Sequence, residues 1–162
     1  MISGVGIDLV RIERIARWID RPGLIERFFH PEEIEAATSR GAGKAASLAA
    51  RFAAKEAFGK ALGTGLSGLE LREVCVHNDE RGQPFVTLHG ASAVLFAARG
   101  GGNVHCSLSH EKDYAIALVV IEAVAPLAGS ASSANVLSGN VLSANVASKN
   151  VANSLRGPEK RE

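Results

Sequence analysis

Glu56 and Lys60 stand four residues apart in the run RFAAKEAFGKALGTG, Arg51–Gly65. On a helix turning about 100° per residue they fall within about 40° of each other. Such a pair is either an ordinary surface ion pair or two opposite charges offered to one ligand. Asp8 supplies a third group. It is set in GVGIDLV, an otherwise apolar strand, where a charge is rarely placed without a partner. Asp8 and Glu56, from different elements, form a sparse oxygen donor set. That suits Mg²⁺, which takes one or two protein carboxylates and completes its octahedron with waters and substrate phosphates. By spacing alone, two carboxylates with nearby lysines leave both readings open. His110 ends the apolar stretch SLSH beside the charged run Glu111-Lys112-Asp113. A lone histidine there is structural, solvated or functional. His30, His77, His89 and His105 show no metal-ligand spacing, so no zinc site is expected. GxxxxGK[ST] and GxSxG motifs are both absent, which disfavours a P-loop nucleotidase and an α/β-hydrolase.

The elements that must position these groups follow from periodicity and breakers. ISGVGIDLV reads as a buried strand ending near Asp8. Arg11–Asp20 reads as a helix with Ile12, Ile15, Ala16 and Ile19 on one face, stopped by Pro22-Gly23. Pro31-Glu32-Glu33 opens a second helix, with proline in the first turn and acids near the positive end. Lys44–Leu62 is the long helix, with Ala50, Ala54, Ala57 and Ala61 on a face for close packing. Gly59 is expected to leave bare backbone beside Glu56, and Gly63-Thr64-Gly65 to cap the helix. LREVCVHNDERGQPFVTLHG reads as a hairpin with its turn around Asp79–Gln83. Ala91–Arg99 is a short helix. NVHCSLSH and YAIALVVIE are two strands separated by His110–Asp113. Hairpins dominate the later half, so the expected class is α+β, a mostly antiparallel sheet with a long packed helix.

The 162 residues divide by composition into a domain over 1–122 and a tail over 123–162. The tail lacks aromatics and repeats Asn-Val at Asn135, Asn140, Asn145 and Asn150; disorder is expected there. No run of about 18 apolar residues is present, so no membrane span is expected. The start MISGVGIDLV has no basic region of the signal-peptide kind. Cys75 and Cys106 sit in apolar stretches as small buried hydrophobes, so a reduced, cytoplasmic protein is expected. The net charge of +1 selects no partner and favours no nucleic acid. Locally, Arg11, Arg14, Arg17 and Arg21 fall within about a 120° arc if the first helix runs that far. Trp18 lies near that edge, and an acidic partner fits the stripe.

Three blocks in order, GVGIDLVRIERI (Gly4–Ile15), RFAAKEAFGKALGTG and SLSHEKDYAIALVVIE (Ser107–Glu122), carry a family resemblance. The chain resembles holo-[acyl-carrier-protein] synthases, the short class of 4′-phosphopantetheinyl transferases. The resemblance covers about residues 1–122 and leaves the tail without a counterpart. It implies transfer of the 4′-phosphopantetheine group from coenzyme A to a serine of apo-acyl carrier protein, with release of adenosine 3′,5′-bisphosphate. It implies Mg²⁺ on Asp8 and Glu56, and coenzyme A contacts from Arg51, Lys60, Gly63, Thr64, Gly65 and His110. It implies carrier docking through Arg14 on the first helix, a homotrimer with sites between subunits, and a place in fatty acid and lipid biosynthesis. Glu56, directly or through a bound water, is the candidate base for the serine proton, with Lys60 as the catalytic cation. Two other readings stay open: a different Mg²⁺-dependent pyrophosphate-cleaving enzyme, and an inactive relative that acts as a binding module.

Overall fold

The computed structural model describes residues 1–124 together with Leu142–Ser143. Strand β1 (Ile2–Arg11) is followed by helices α1 (Ile12–Ile19), α2 (Leu24–Phe28), α3 (Pro31–Thr38) and α4 (Lys44–Leu62). Next come strands β2 (Val74–Asn78) and β3 (Pro84–Leu88), helix α5 (Gly90–Ala98), strands β4 (Gly101–Glu111) and β5 (Tyr114–Ala123), and a two-residue strand β6 (Leu142–Ser143). One sheet has the order β1-β5-β4 and the other β2-β3-β6, and every pairing is antiparallel. This is the expected α+β class with its long helix. The expected disordered tail falls, apart from Ala123, Val124 and Leu142–Ser143, outside the described residues.

The packing of α4 on the first sheet begins with strand alternation. Gly4, Gly6, Asp8 and Val10 share the inner face of β1, and Val5, Ile7 and Leu9 the outer. A Cβ on Gly4 would overlap the carbonyl oxygen of Ala61, and one on Gly6 that of Ala57. Glycines facing small alanines therefore let the two backbones nearly touch. Ala50, Ala54, Ala57 and Ala61 are buried, as their shared face requires. Gly6→Ala is expected to cost about 3 kcal/mol or more, because the obstacle is backbone rather than a movable side chain. Urea unfolding of the variant measures this; a midpoint equal to that of the parent would refute the close-approach reading.

α4 is buried on most sides, and two of its charges turn inward. The free edge of β2 takes up both, Arg51 and Lys55, together with Glu33 of α3. Val76 N–H donates to Glu33 Oε1 at 3.0 Å, and Arg51 Nε donates to the Val76 carbonyl at 3.2 Å. Lys55 Nζ donates to Glu33 Oε2 at 2.6 Å and to the carbonyls of Leu71 and Val74, each at 2.7 Å. Lys55 and Glu33 are fully buried, and burial pulls the Lys55 ammonium down while Glu33 opposes it. All three donors of the ammonium are satisfied, which is what such burial demands.

Four expectations change. β1 runs past Asp8 to Arg11, because Val10 is a core residue and the ladder to β5 continues to Arg11↔Tyr114. Its outer residues Val5, Ile7 and Leu9 are exposed, so it is buried on one face only. β4 continues through Glu111, which places His110 within a strand opposite Ala115; the turn is Lys112–Asp113. α1 stops at Ile19, where Asp20 caps it and Arg21 N–H bonds the Trp18 carbonyl at 3.0 Å. Arg21 therefore lies beyond the helix and Arg11 in a strand, so only Arg14 and Arg17 of the expected stripe ride on α1.

Candidate active site

β1 carries Asp8 to the flank of α4. Gly4 and Gly6 hold the strand against the helix, and Asp8 is the next residue on that face. Lys60 Nζ donates to Asp8 Oδ1 at 2.7 Å and to the Ile7 carbonyl at 2.9 Å. Lys60 thus takes its carboxylate from the strand, and the i,i+4 pair with Glu56 does not form. Asp8 Oδ2 is buried and accepts no hydrogen bond. Beside it the Glu56 carboxyl is pushed up to about 7, first by burial and then by Asp8, against the pull of Arg14 and Lys60. An orphaned acceptor next to a second carboxylate is a site short of positive charge. Its donors are all hard oxygens, and both carboxylates face each other, so the residues fit Mg²⁺.

Glu56 titrates with a definite sign. Its folded value of about 7 lies above the ordinary 4.5, so the folded chain holds that proton more tightly. The stabilisation is fully present below about pH 4.5 and is lost as pH rises through about 7. In chelator, the chain is expected to lose on the order of 1 kcal/mol over that window relative to Glu56→Gln, allowing for screening of a half-exposed group. Urea midpoints across the window measure it, and equal pH slopes would overturn the pairing with Asp8.

Below these groups α4 ends in a Schellman turn. Thr64 N–H bonds the Gly59 carbonyl at 3.2 Å and Gly63 N–H that of Lys60 at 3.1 Å, with Gly63 at φ +77°. A Cβ on Gly59 would overlap the Gly65 carbonyl oxygen. The bare backbone of Gly59 therefore seats the returning turn and is not open beside Glu56, contrary to expectation. Gly63 and Gly65 remain exposed.

Arg51 and His110 belong to a second group. They line a cleft of about 300 Å³ with Arg40, Ser47, Asn78 and Leu108. Arg51 is buried and held by Ser47 Oγ at 2.6 Å and Asn78 Oδ1 at 3.1 Å besides its bond to Val76. His110 is exposed at the rim. Arg40 was not expected; its only sequence signal is its place just before α4. Asp8, Glu56 and Lys60 are not in this lining. α4 packs across β1 and β5 and stands between the groups. Glu56 and Arg51, five residues apart, point about 140° apart around the helix. His110 sits two strands from Asp8, about 10 Å across the sheet. One chain thus presents two separate groups on opposite flanks of one helix.

Arg14 lies beside Glu56, as its pull on that carboxyl records. Its guanidinium covers the rings of Trp18 at 5.0 Å and Phe52 at 5.3 Å. Trp18 itself stacks on Phe28 at 5.0 Å and meets Phe52 edge-on at 5.1 Å, so it caps the core. Arg17 pairs with Glu13 at 3.7 Å on the exposed face, and Arg11 Nε donates to Tyr114 Oη at 3.1 Å. Both cysteines are free thiols; burial pushes Cys75 up to about 12 and Cys106 up to about 11, so neither is an activated nucleophile.

Comparison with known proteins adds to this geometry. The family model described as the 4′-phosphopantetheinyl transferase superfamily matches residues 4–119. The holo-[acyl-carrier-protein] synthase of Treponema denticola is 52% identical over 122 residues, covering 75% of this chain and 99% of that one. The crystal structure of the Neisseria meningitidis holo-[acyl-carrier-protein] synthase superposes with a TM-score of 0.68 at 36% identity, over 75% of this chain and 99% of the other. The Helicobacter pylori holo-[acyl-carrier-protein] synthase in complex with coenzyme A superposes with a TM-score of 0.65 at 32% identity, over 73% and 99% respectively.

Proposed function

The chain belongs to the 4′-phosphopantetheinyl transferase superfamily, and we infer that it transfers the 4′-phosphopantetheine group from coenzyme A to a serine of apo-acyl carrier protein. The serine Oγ forms a bond to the phosphorus next to pantetheine, and the bond from that phosphorus to the bridging oxygen breaks. Adenosine 3′,5′-bisphosphate leaves, and the serine proton passes to a base. The observation that carries this reading is the buried, donorless Asp8 Oδ2 beside Glu56, in a chain whose relatives are matched over nearly their whole length.

Asp8 and Glu56 are the residues that would hold Mg²⁺. When bound, the ion supplies neutralisation of charge developing on the pyrophosphate. The Lys60 ammonium is half exposed and contributes a point charge from the same flank. Glu56, directly or through a bound water, is the candidate base for the serine proton. The exposed glycines of the Gly63–Gly65 turn, with Arg51 and His110, receive coenzyme A. The working unit is a homotrimer. Two observations support it: the exposed apolar face of Val5, Ile7, Leu9, Ile116 and Leu118, and the separation of the two half-sites within one chain.

No described helix is long and apolar enough to cross a membrane. A cytoplasmic setting and a role in fatty acid and lipid biosynthesis accord with an acyl carrier protein substrate. Carrier proteins of this class are acidic, and Arg14, with Arg17 on the same helix, is the docking surface beside Glu56. Arg14→Glu is expected to raise the apparent KM for carrier by about tenfold and to flatten its salt dependence, leaving coenzyme A affinity unchanged. Steady-state kinetics over a salt series would refute the docking role if KM for carrier held constant.

Intact-mass spectrometry of an apo-acyl carrier protein incubated with the chain, coenzyme A and Mg²⁺ tests the whole reading. A gain of one phosphopantetheine, lost with chelator, is the expected result. Pyrophosphate cleavage without transfer would make the chain another Mg²⁺-dependent enzyme, and binding without either would make it a binding module.

A further inference from the structure

The sequence predicts no zinc site, yet the fold brings metal-capable groups together away from Asp8 and Glu56. His30, Glu32 and Cys75 each offer a ligand atom, and these atoms lie within 4.8 Å of one another. Local structure explains the meeting. His30 is the N-cap of α3 and Glu32 lies in its first turn, so both side chains gather at that helix end. Cys75 reaches the same place from β2, and strand alternation puts His77 on its face. Spacing in sequence concealed this, because the thiol comes from 45 residues beyond the histidine.

Further polar groups surround the three. His77 Nδ1 lies 3.5 Å from the Glu32 carboxylate, and its Nε2 is 2.9 Å from Thr87 Oγ1. Thr87 pairs with Cys75 across the hairpin and contacts His89 Nε2 at 3.5 Å. The His89 ring stacks on His30 at 5.2 Å, inclined by 5°. Glu33, the adjacent acid, is turned away to Lys55, Val76 and the His30 backbone, which leaves Glu32 as the carboxylate of the cluster.

We propose that His30, Glu32 and Cys75 bind a borderline divalent transition-metal ion, Zn²⁺ by ligand class, as a clamp between α3 and the β2–β3 hairpin. One nitrogen, one oxygen and one sulfur from three side chains match zinc, while sulfur and nitrogen exclude Mg²⁺. At Zn–S of about 2.3 Å and Zn–N of about 2.0 Å, tetrahedral ligand atoms stand about 3.3–3.8 Å apart, so side-chain rotation of about 1 Å closes the site. Cys75 forms its buried floor and exposed Glu32 its entry. A fourth position remains for water or His77. His77, Thr87 and His89 form the outer layer that orients such ligands. On binding, the Cys75 S–H bond is exchanged for S–Zn and the proton passes to solvent. The clamp would fix the helix whose Glu33 covers the β2 edge.

Cobalt titration of the full chain in saturating Mg²⁺, which occupies the carboxylate site, tests this. One equivalent of Co²⁺ is expected to produce a thiolate-to-cobalt charge-transfer band with tetrahedral ligand-field absorption, and Zn²⁺ should displace both. The band should vanish in Cys75→Ser and persist in Cys106→Ser. His30→Asn keeps a capping side chain and should weaken Co²⁺ binding about tenfold or more. Absence of the band in the parent chain, its loss in Cys106→Ser, or unchanged affinity in His30→Asn would each overturn the proposal. The last two hold even if Cys75→Ser fails to fold.

Discussion

Asp8→Ala is expected to lower phosphopantetheine transfer by about a thousandfold or more, the scale of losing an organised electrostatic contact to a phosphoryl transition state. Asp8 acts through both oxygens: Oδ1 accepts from Lys60, while Oδ2 is buried with no donor. Alanine removes one of two carboxylates that would hold Mg²⁺ and leaves Lys60 bound only to the Ile7 carbonyl. The fold should survive. The lost pair is half exposed on the lysine side, and the deleted oxygen was an unsatisfied acceptor whose removal relieves a burial penalty. Metal-free Asp8→Ala should therefore unfold at or above the parent's urea midpoint. Added Mg²⁺ should raise the midpoint of the parent and leave the variant unmoved. Single-turnover rates at saturating Mg²⁺, read beside these midpoints, separate a catalytic loss from a structural one. Near-parental turnover would remove Asp8 from the metal site.

The parts legible in the sequence were those whose signals are local. α4 carried its own ends: a run of strong helix formers and a glycine able to take φ +77°. The β2–β3 turn was readable because Asp79 folds it by itself, its Oδ1 accepting from the N–H groups of Arg81 and Gln83. That Asp8 shares the helix-facing side of β1 with Gly4 and Gly6 was not read from the sequence, because glycines give a strand face no hydrophobic signature. α2 was missed because five residues show no periodicity. The inward turn of Lys55 was missed because its partners Glu33, Leu71 and Val74 come from other elements. His110 was placed in a turn because pairing with Ala115 is a long-range property of the sheet. The metal-capable cluster at His30 was invisible for the same reason: tertiary structure, not spacing, assembles it.

Mixing two inactive variants is expected to restore transfer. Asp8→Ala removes one half-site and His110→Ala the other. Within a chain these halves lie on opposite flanks of α4, about 10 Å apart across the sheet at Asp8 and His110. In the proposed ring of three identical subunits joined head to tail, the Asp8 flank of one would face the His110 flank of the next. In randomly reassembled trimers from equal amounts of the two variants, a site is intact when its Asp8 comes from a His110→Ala subunit and its His110 from an Asp8→Ala subunit. That combination occupies about a quarter of all sites, so activity should return to about a quarter of the parental value. Sites complete within one chain would give no recovery at any mixing ratio, since each chain would keep its own defect. Dissociating conditions before mixing are required, because an interface formed by the exposed apolar residues Val5, Ile7, Leu9 and Leu118 would make exchange slow. Leu118→Glu supplies the converse: a charge on that apolar face should yield monomers by light scattering, with Asp8, Glu56 and Lys60 still in place and transfer lost. Monomers that keep parental turnover would show that one chain suffices and would move His110 out of the site.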